Sequence, residues 1–276
     1  MKTKKLLFLI VSFLSIFTLM SCKKENLKSE IESTFDLASK NATNELMTED
    51  VNNILMATTD SLNLSGARVP NAEMGLPTCA TITVTGSFPN KHITIDFHDS
   101  CVGLDNVTRS GIIHVVLTNY IRAAGSVATV TFENFKRNGY QKEGTVTWTN
   151  TSNSPSAKSW HRVVVNGKIT APDGRYWFHE SDKTLTQVAG ISTQSNSDDA
   201  YSINGSGSVT NEEGKTRTSE IITALHKRVS CSNIDEGSIK FQGPNHYALL
   251  DFGNGTCDNI ATVSIDGYTP RTITLR

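Results

Sequence analysis

From Cys79 onward the hydrophobic period falls from the helical value of about 3.6 to 2, and this change constrains the fold more than any other feature. Thr81-Ile82-Thr83-Val84-Thr85 alternates, as do Ile93-Thr94-Ile95-Asp96-Phe97, Val127-Ala128-Thr129-Val130-Thr131-Phe132 and Thr145-Val146-Thr147-Trp148. β-Branched and aromatic residues in this pattern make strands with one buried face. Asn138-Gly139, Asn166-Gly167, Pro172-Asp173-Gly174, Asn204-Gly205, Glu213-Gly214 and Asp266-Gly267 punctuate the run. Asn-Gly and Asp-Gly supply the positive φ of tight hairpins, so the spacing predicts hairpin turns at these sites. No helical pattern intervenes. The expectation is a mainly β chain, a large antiparallel meander of roughly ten to fourteen strands. So long a sheet must curl or split to bury its apolar face, giving a curved sheet or half-barrel, with a β-sandwich as the alternative.

The N-terminus has a different pattern. Lys2, Lys4 and Lys5 precede an uncharged run from Leu6 to Met20, short for a spanning helix and suited to an export signal. The run ends in Leu19-Met20-Ser21-Cys22, which resembles a bacterial lipobox, implying cleavage before Cys22 and lipidation of its thiol. Two or three acyl chains hold a protein at a membrane where one does not. Residues 1–21 are therefore assigned as signal, 22–62 as a lipidated Cys and helical segment, 63–77 as linker and 78–276 as the β domain. Within the helical segment, Leu27, Ile31, Phe35, Ala38 and Ala42 recur at helical spacing, and Leu46, Val51, Ile54 and Leu55 follow a break expected near Thr48. Thr48-Glu49-Asp50-Val51 has the pattern of a second helix start. Such a helix serves as a tether docked on the core, or as a plug in a cavity.

The remaining cysteines, Cys79, Cys101, Cys231 and Cys257, are even in number, as disulfides in an oxidising compartment require. The expected pairs are Cys79–Cys101 and Cys231–Cys257, because each lies within one local strand cluster. Cys-x-x-Cys spacing is absent and the His residues do not flank these cysteines in any metal pattern, so no metal site is expected. A weak internal repeat surrounds the pairs. Each copy has a Cys, a strand ending Asp-Phe, a polar loop, a second Cys and Asp-Asn: Asp96-Phe97 and Asp105-Asn106 in one, Asp251-Phe252 and Asp258-Asn259 in the other. This repeat is read as one device stapling both ends of one long sheet.

These motifs, above all Leu250-Asp251-Phe252-Gly253-Asn254-Gly255-Thr256-Cys257-Asp258-Asn259, resemble a family of uncharacterised lipoproteins of Bacteroidetes-group bacteria. The resemblance spans about residues 78–276. It implies the lipoprotein address and β architecture, and supplies no catalytic residues.

Chemistry-bearing patterns are sparse. Asp96, His98 and Asp99 stand beside Cys101, but the matching loop, Gly253-Asn254-Gly255, lacks the His and second acid, so Asp96 and Asp251 are expected to bond backbone N–H groups in Asx turns. Trp160, His161, Trp177 and His179 are the candidates for a ligand groove with aromatic walls, set against a half-exposed sheet face. No nucleophile elbow, zinc-protease motif, phosphate loop or dinucleotide fingerprint is present. The sequence therefore assigns no catalytic residue, no metal and no cofactor. A formal net charge of -1 provides no basic excess for nucleic acid. The functional expectation is a lipid-anchored protein of the bacterial cell envelope, at the outer membrane. Its partners would be the membrane, through the anchor, and a lipid, glycan or protein ligand bound without catalysis. The alternatives are a structural or adhesive surface protein and, behind both, a secreted hydrolase. A sheet curved over the N-terminal helix would resemble the half-barrel of periplasmic lipoprotein carriers in fold alone.

Overall fold

The structure is a computed structural model that describes residues 27–66, 76–193 and 195–275, with the backbone of the N-terminal helix carried from Thr3. The side chains of the expected signal and of Cys22, and residues 67–75 of the expected linker, lie outside the described residues. Among the described residues one helix, α1 (Thr3–Ser61), precedes every strand. The expected break at Thr48 does not occur. Neither Gly nor Pro interrupts the chain before Ser61, and the Thr48 hydroxyl donates to the Asn44 carbonyl at 2.7 Å instead of capping a new helix. The helix ends on Asn63, at φ 56°. Leu64 N–H bonds the Thr59 carbonyl and Asn63 N–H that of Asp60, the paired bonds of a Schellman cap.

The strands are β1 (Thr81–Thr85), β2 (Lys91–Asp96), β3 (Cys101–Val102), β4 (Thr108–Leu117), β5 (Val127–Arg137), β6 (Tyr140–Asn150), β7 (Ser159–Thr170), β8 (Tyr176–Ala189), β9 (Ala200–Asn211), β10 (Thr216–Arg228), β11 (Glu236–Gln242), β12 (Tyr247–Asn254), β13 (Ile260–Ile265) and β14 (Arg271–Thr274). They form a single antiparallel sheet in chain order from β1 to β14, with β3 set aside on β4. The sheet curls around α1 without closing. Cys79–Cys101 and Cys231–Cys257 are disulfide-bonded, staples near the two ends of the sheet.

Two expected turns are not turns. Asn166-Gly167 lies inside β7, where Asn166 takes φ 52° and the pairing with β8 slips between Val164 and Gly167. Asn204-Gly205 lies inside β9; Gly205, at φ 132°, bends the strand where its pairing with β10 lapses. A Cβ at Gly205 would collide with the Asp182 carbonyl oxygen. Gly111, Asn134, Gly144 and Gly237 take positive φ inside β4, β5, β6 and β11, each beside a register shift. Bulges bend a strand and increase its twist. A band of them across neighbouring strands curls a sheet that would otherwise stay open.

Because each strand pairs with its chain neighbour, successive connections alternate between two rims. Residues 243–246 and 266–270 lie on the near rim, and 118–126 and 190–199 on the far rim. The helix enters at the near rim, where Glu30 accepts bonds from Asn245 N–H and its side-chain amide and Glu32 pairs with Arg271. It leaves at the far rim, where Ile121 N–H donates to the Leu64 carbonyl.

Candidate functional site

Every residue of α1 from Asn44 to Asp60 is buried, although ten of the seventeen are polar or charged. A helix polar on much of its surface does not bury itself on hydrophobicity alone; it needs partners in the sheet. The inward positions of the middle strands supply them. On β6 these are Lys142, Val146, Trp148 and Asn150; on β7, Trp160, Arg162 and Val164; on β8, Trp177, His179, Lys183, Leu185 and Gln187.

Arg162 donates to Glu49 at 2.5 Å, with both side chains fully buried. Lys183 pairs with Glu45, and Arg109 of β4 with Asp50 and, at 2.7 Å, Asp105. The Lys142 ammonium donates to the Thr48 hydroxyl at 3.2 Å and stands 3.4 Å from His179 Nε2. Arg217 donates to the Thr34 hydroxyl, and Arg122 lies 3.7 Å from Asp60 and 3.5 Å from Asp199. Lys227 is capped by the carbonyls of Arg228 and Cys231. Seven cations of the sheet and its loops are thus matched, one by one, to acids, hydroxyls or carbonyls, most of them on α1.

Crowding of cations in a dry interior shifts their protonation. Burial, reinforced by the Arg162 charge, pushes Lys142 down to about 7. Burial also brings Lys227 down to about 8. His179 is held well below its ordinary value by burial, then by Lys142, Lys183 and Arg162, and so is neutral. A neutral imidazole can accept the proton that a Lys142 ammonium offers. Arg162 Nε and Nη2, Trp148 Nε1 and the Asn52 amide have no protein hydrogen-bond partner, and Trp148 and Arg162 are register partners on adjacent strands.

The four groove candidates do not share one groove. Trp160 is fully buried, donating from Nε1 to the Ile121 carbonyl at 3.1 Å, with Tyr201 at its edge and Arg122 over its face. Trp177 donates to the Asn44 side chain at 2.6 Å and packs with Leu37 and Met47 of α1. His179 lines the same interior. His161 points to the outer face and pairs with Asp182 at 2.7 Å. The aromatic walls exist, and α1 lies between them.

The loop candidates behave as turns. Asp96 accepts the His98 N–H at 2.7 Å, and Asp251 the Gly253 N–H at 2.8 Å, the same device at both disulfide-bonded ends. An open hollow of about 560 Å³ lies over Asp96, His98, Asp99, Glu133 and Lys136. A second of about 560 Å³ is floored by Gly205 and walled by Ser206, Thr218, Glu220, Lys240 and Gln242. A smaller cavity of about 150 Å³ is lined by Asp50, Asn53, Asp105 and Arg109. Among the described residues no three His, Cys, Asp or Glu side chains are grouped as a metal would need, and no helix is long and apolar enough to cross a membrane.

The interior cations were missed by sequence reasoning, although their phase was readable. Arg162 alternates with Trp160 and Val164, and Lys183 with Leu185 and Gln187, so each stands where a buried side chain belongs. Comparisons with protein-family models, with curated proteins and with solved structures find no match to this chain.

Proposed function

We propose that the protein is a lipid-anchored lipoprotein of the bacterial envelope, held at the outer membrane through Cys22, that works by binding and not by catalysis. The lipobox-like Leu19-Met20-Ser21-Cys22 and the resemblance of residues 78–276 to Bacteroidetes-group lipoproteins support the address. The observation that carries the binding role is that α1 occupies the concave side of the sheet and matches its buried cations. A lipid inside the sheet would have to displace Glu45, Glu49 and Asp50 from Lys183, Arg162 and Arg109. Removing one partner of a buried ion pair costs about 3–5 kcal/mol. The partner is therefore a glycan or a protein engaged on the outside of the curved sheet. The hollow around Gly205, Ser206, Glu220, Lys240 and Gln242 offers it hydroxyl, amide and charged groups of both signs.

The test places a photo-crosslinking residue at Glu220 of the full chain in living cells, and takes a native mass of the purified protein. A discrete crosslinked species and no retained lipid are expected. A stoichiometric lipid extracted from the protein would overturn the exterior reading.

A further inference from the structure

We propose that the near rim of the curved sheet is a membrane-contact surface, seated at the headgroup level of the bilayer that holds the anchor. This rests on the proposed lipidation of Cys22. Glu30, the first side chain of α1 bonded to the rim among the described residues, lies eight positions after Cys22, a stretch that spans at most about 28 Å. The fourteen residues of β8 extend about 46 Å along the strand. The tether thus holds the part of the near rim around Asn245 and Arg271, where α1 enters, close to the bilayer and leaves the far rim beyond its reach.

The side chains on that rim suit the place. Of the four exposed aromatic residues among the described ones, Phe178, Tyr247 and Tyr268 belong to the near rim and Tyr120 alone to the far one. Phe178 lies two residues in from the β7–β8 turn, beside Tyr176, whose ring is capped by the Lys168 ammonium. Tyr247 opens β12 with Lys240 at 4.9 Å over its ring, and Tyr268 meets His246 edge-on. Amphipathic rings with cationic neighbours collect at membrane interfaces, where one end is apolar and the other wet. Two acids of this rim are neutralised in place, Asp173 by Arg175 and Glu213 by Lys215, each at 2.8 Å.

The test uses full-length protein, processed in a lipoprotein-maturing bacterial host, weighed to establish acylation, and reconstituted in phosphatidylcholine–phosphatidylglycerol vesicles with brominated acyl chains. Tyr247→Trp, Phe178→Trp and, at the opposite rim, Tyr120→Trp report position, because the native Trp148, Trp160 and Trp177 are buried in the interior. The added fluorescence at 247 and 178 should fall about twofold on brominated lipid and that at 120 should not change. Acylated protein quenched equally at 120 and 247, or at neither, would overturn the rim assignment alone. A mass without acyl chains would overturn the anchor reading and this proposal with it.

Discussion

The interior of the curved sheet has two unlike regions. Towards its two ends, β2, β4, β12 and β13 pave it with Ile93, Ile95, Ile113, Val115, Ala248, Leu250, Ala261 and Val263, an aliphatic surface against the apolar residues of α1. In the middle, β6, β7 and β8 present Lys142, Arg162 and Lys183 to the carboxylates and hydroxyls of the same helix. Aliphatic burial supplies stability without direction, about 25 cal/mol per Å² removed from water. Buried ion pairs contribute little net stability against a packed apolar core, yet punish any partner left alone. The ends of the sheet therefore hold α1, and the middle fixes how far it is inserted and which face it turns.

The contrast can be broken most forcefully at Arg162. Arg162→Leu alone should cost about 3–5 kcal/mol by strandedness of Glu49, while adding Glu49→Leu should recover most of it; urea midpoints of the three proteins measure this, and a double variant no better than the single would refute it. In the aliphatic region, Leu250→Ala should cost about 3 kcal/mol, with no partner substitution able to restore it. Gly205→Ala should cost about 1–3 kcal/mol through its positive φ and the Asp182 carbonyl, checked by thermal unfolding against Gly174→Ala in an open turn, which should cost less.

A smaller effect is pH-dependent. The folded pKa of Lys142 lies near 7 and its unfolded value near 10.5, so the unfolded chain binds more protons between them. Its contribution to stability must rise with pH across that window, by about 1 kcal/mol over the first unit above neutrality. Lys142→Met should flatten that rise; an unchanged slope in denaturant titrations near pH 7 and pH 8 would contradict it. Least of all, Asp251→Ala should remove only a turn bond, costing about 0.5–1 kcal/mol with the disulfide still formed.

Much of this was legible in the sequence because it is local. Strand alternation, the two cysteine pairs and the Asp96 and Asp251 turns all follow from residues within one hairpin of each other. The bends at Asn166 and Gly205 were not, since Asn-Gly supplies positive φ equally to a turn and to a kink. Only the alternation resuming at Ile169 and Val209 separates the two. Thr48-Glu49-Asp50 was misread for a related reason. Acids that look like a helix start are here the partners of Arg162 and Arg109, and those lie 113 and 59 residues away. The ligand-groove expectation for Trp160, Trp177 and His179 identified interior positions, while sequence alone could not show that α1 fills the space between them.

The partners of α1 also follow an order along the chain. Arg109 takes Asp50, Arg162 takes Glu49, Lys183 takes Glu45, Arg217 takes Thr34, and Asn245 and Arg271 take Glu30 and Glu32. Along the near-rim side of the sheet the contacts move from Asp50 back to Glu30 and Glu32, while the far-rim residues Ile121 and Arg122 meet the other end of the helix at Leu64 and Asp60. The molecule is wound like thread on a spindle that is synthesised before the thread. Each new hairpin closes a short loop onto the previous one, which keeps the entropic cost of every step small. The last turns of the winding, at Asn245 and Arg271, cover the part of the spindle nearest the chain's start among the described residues.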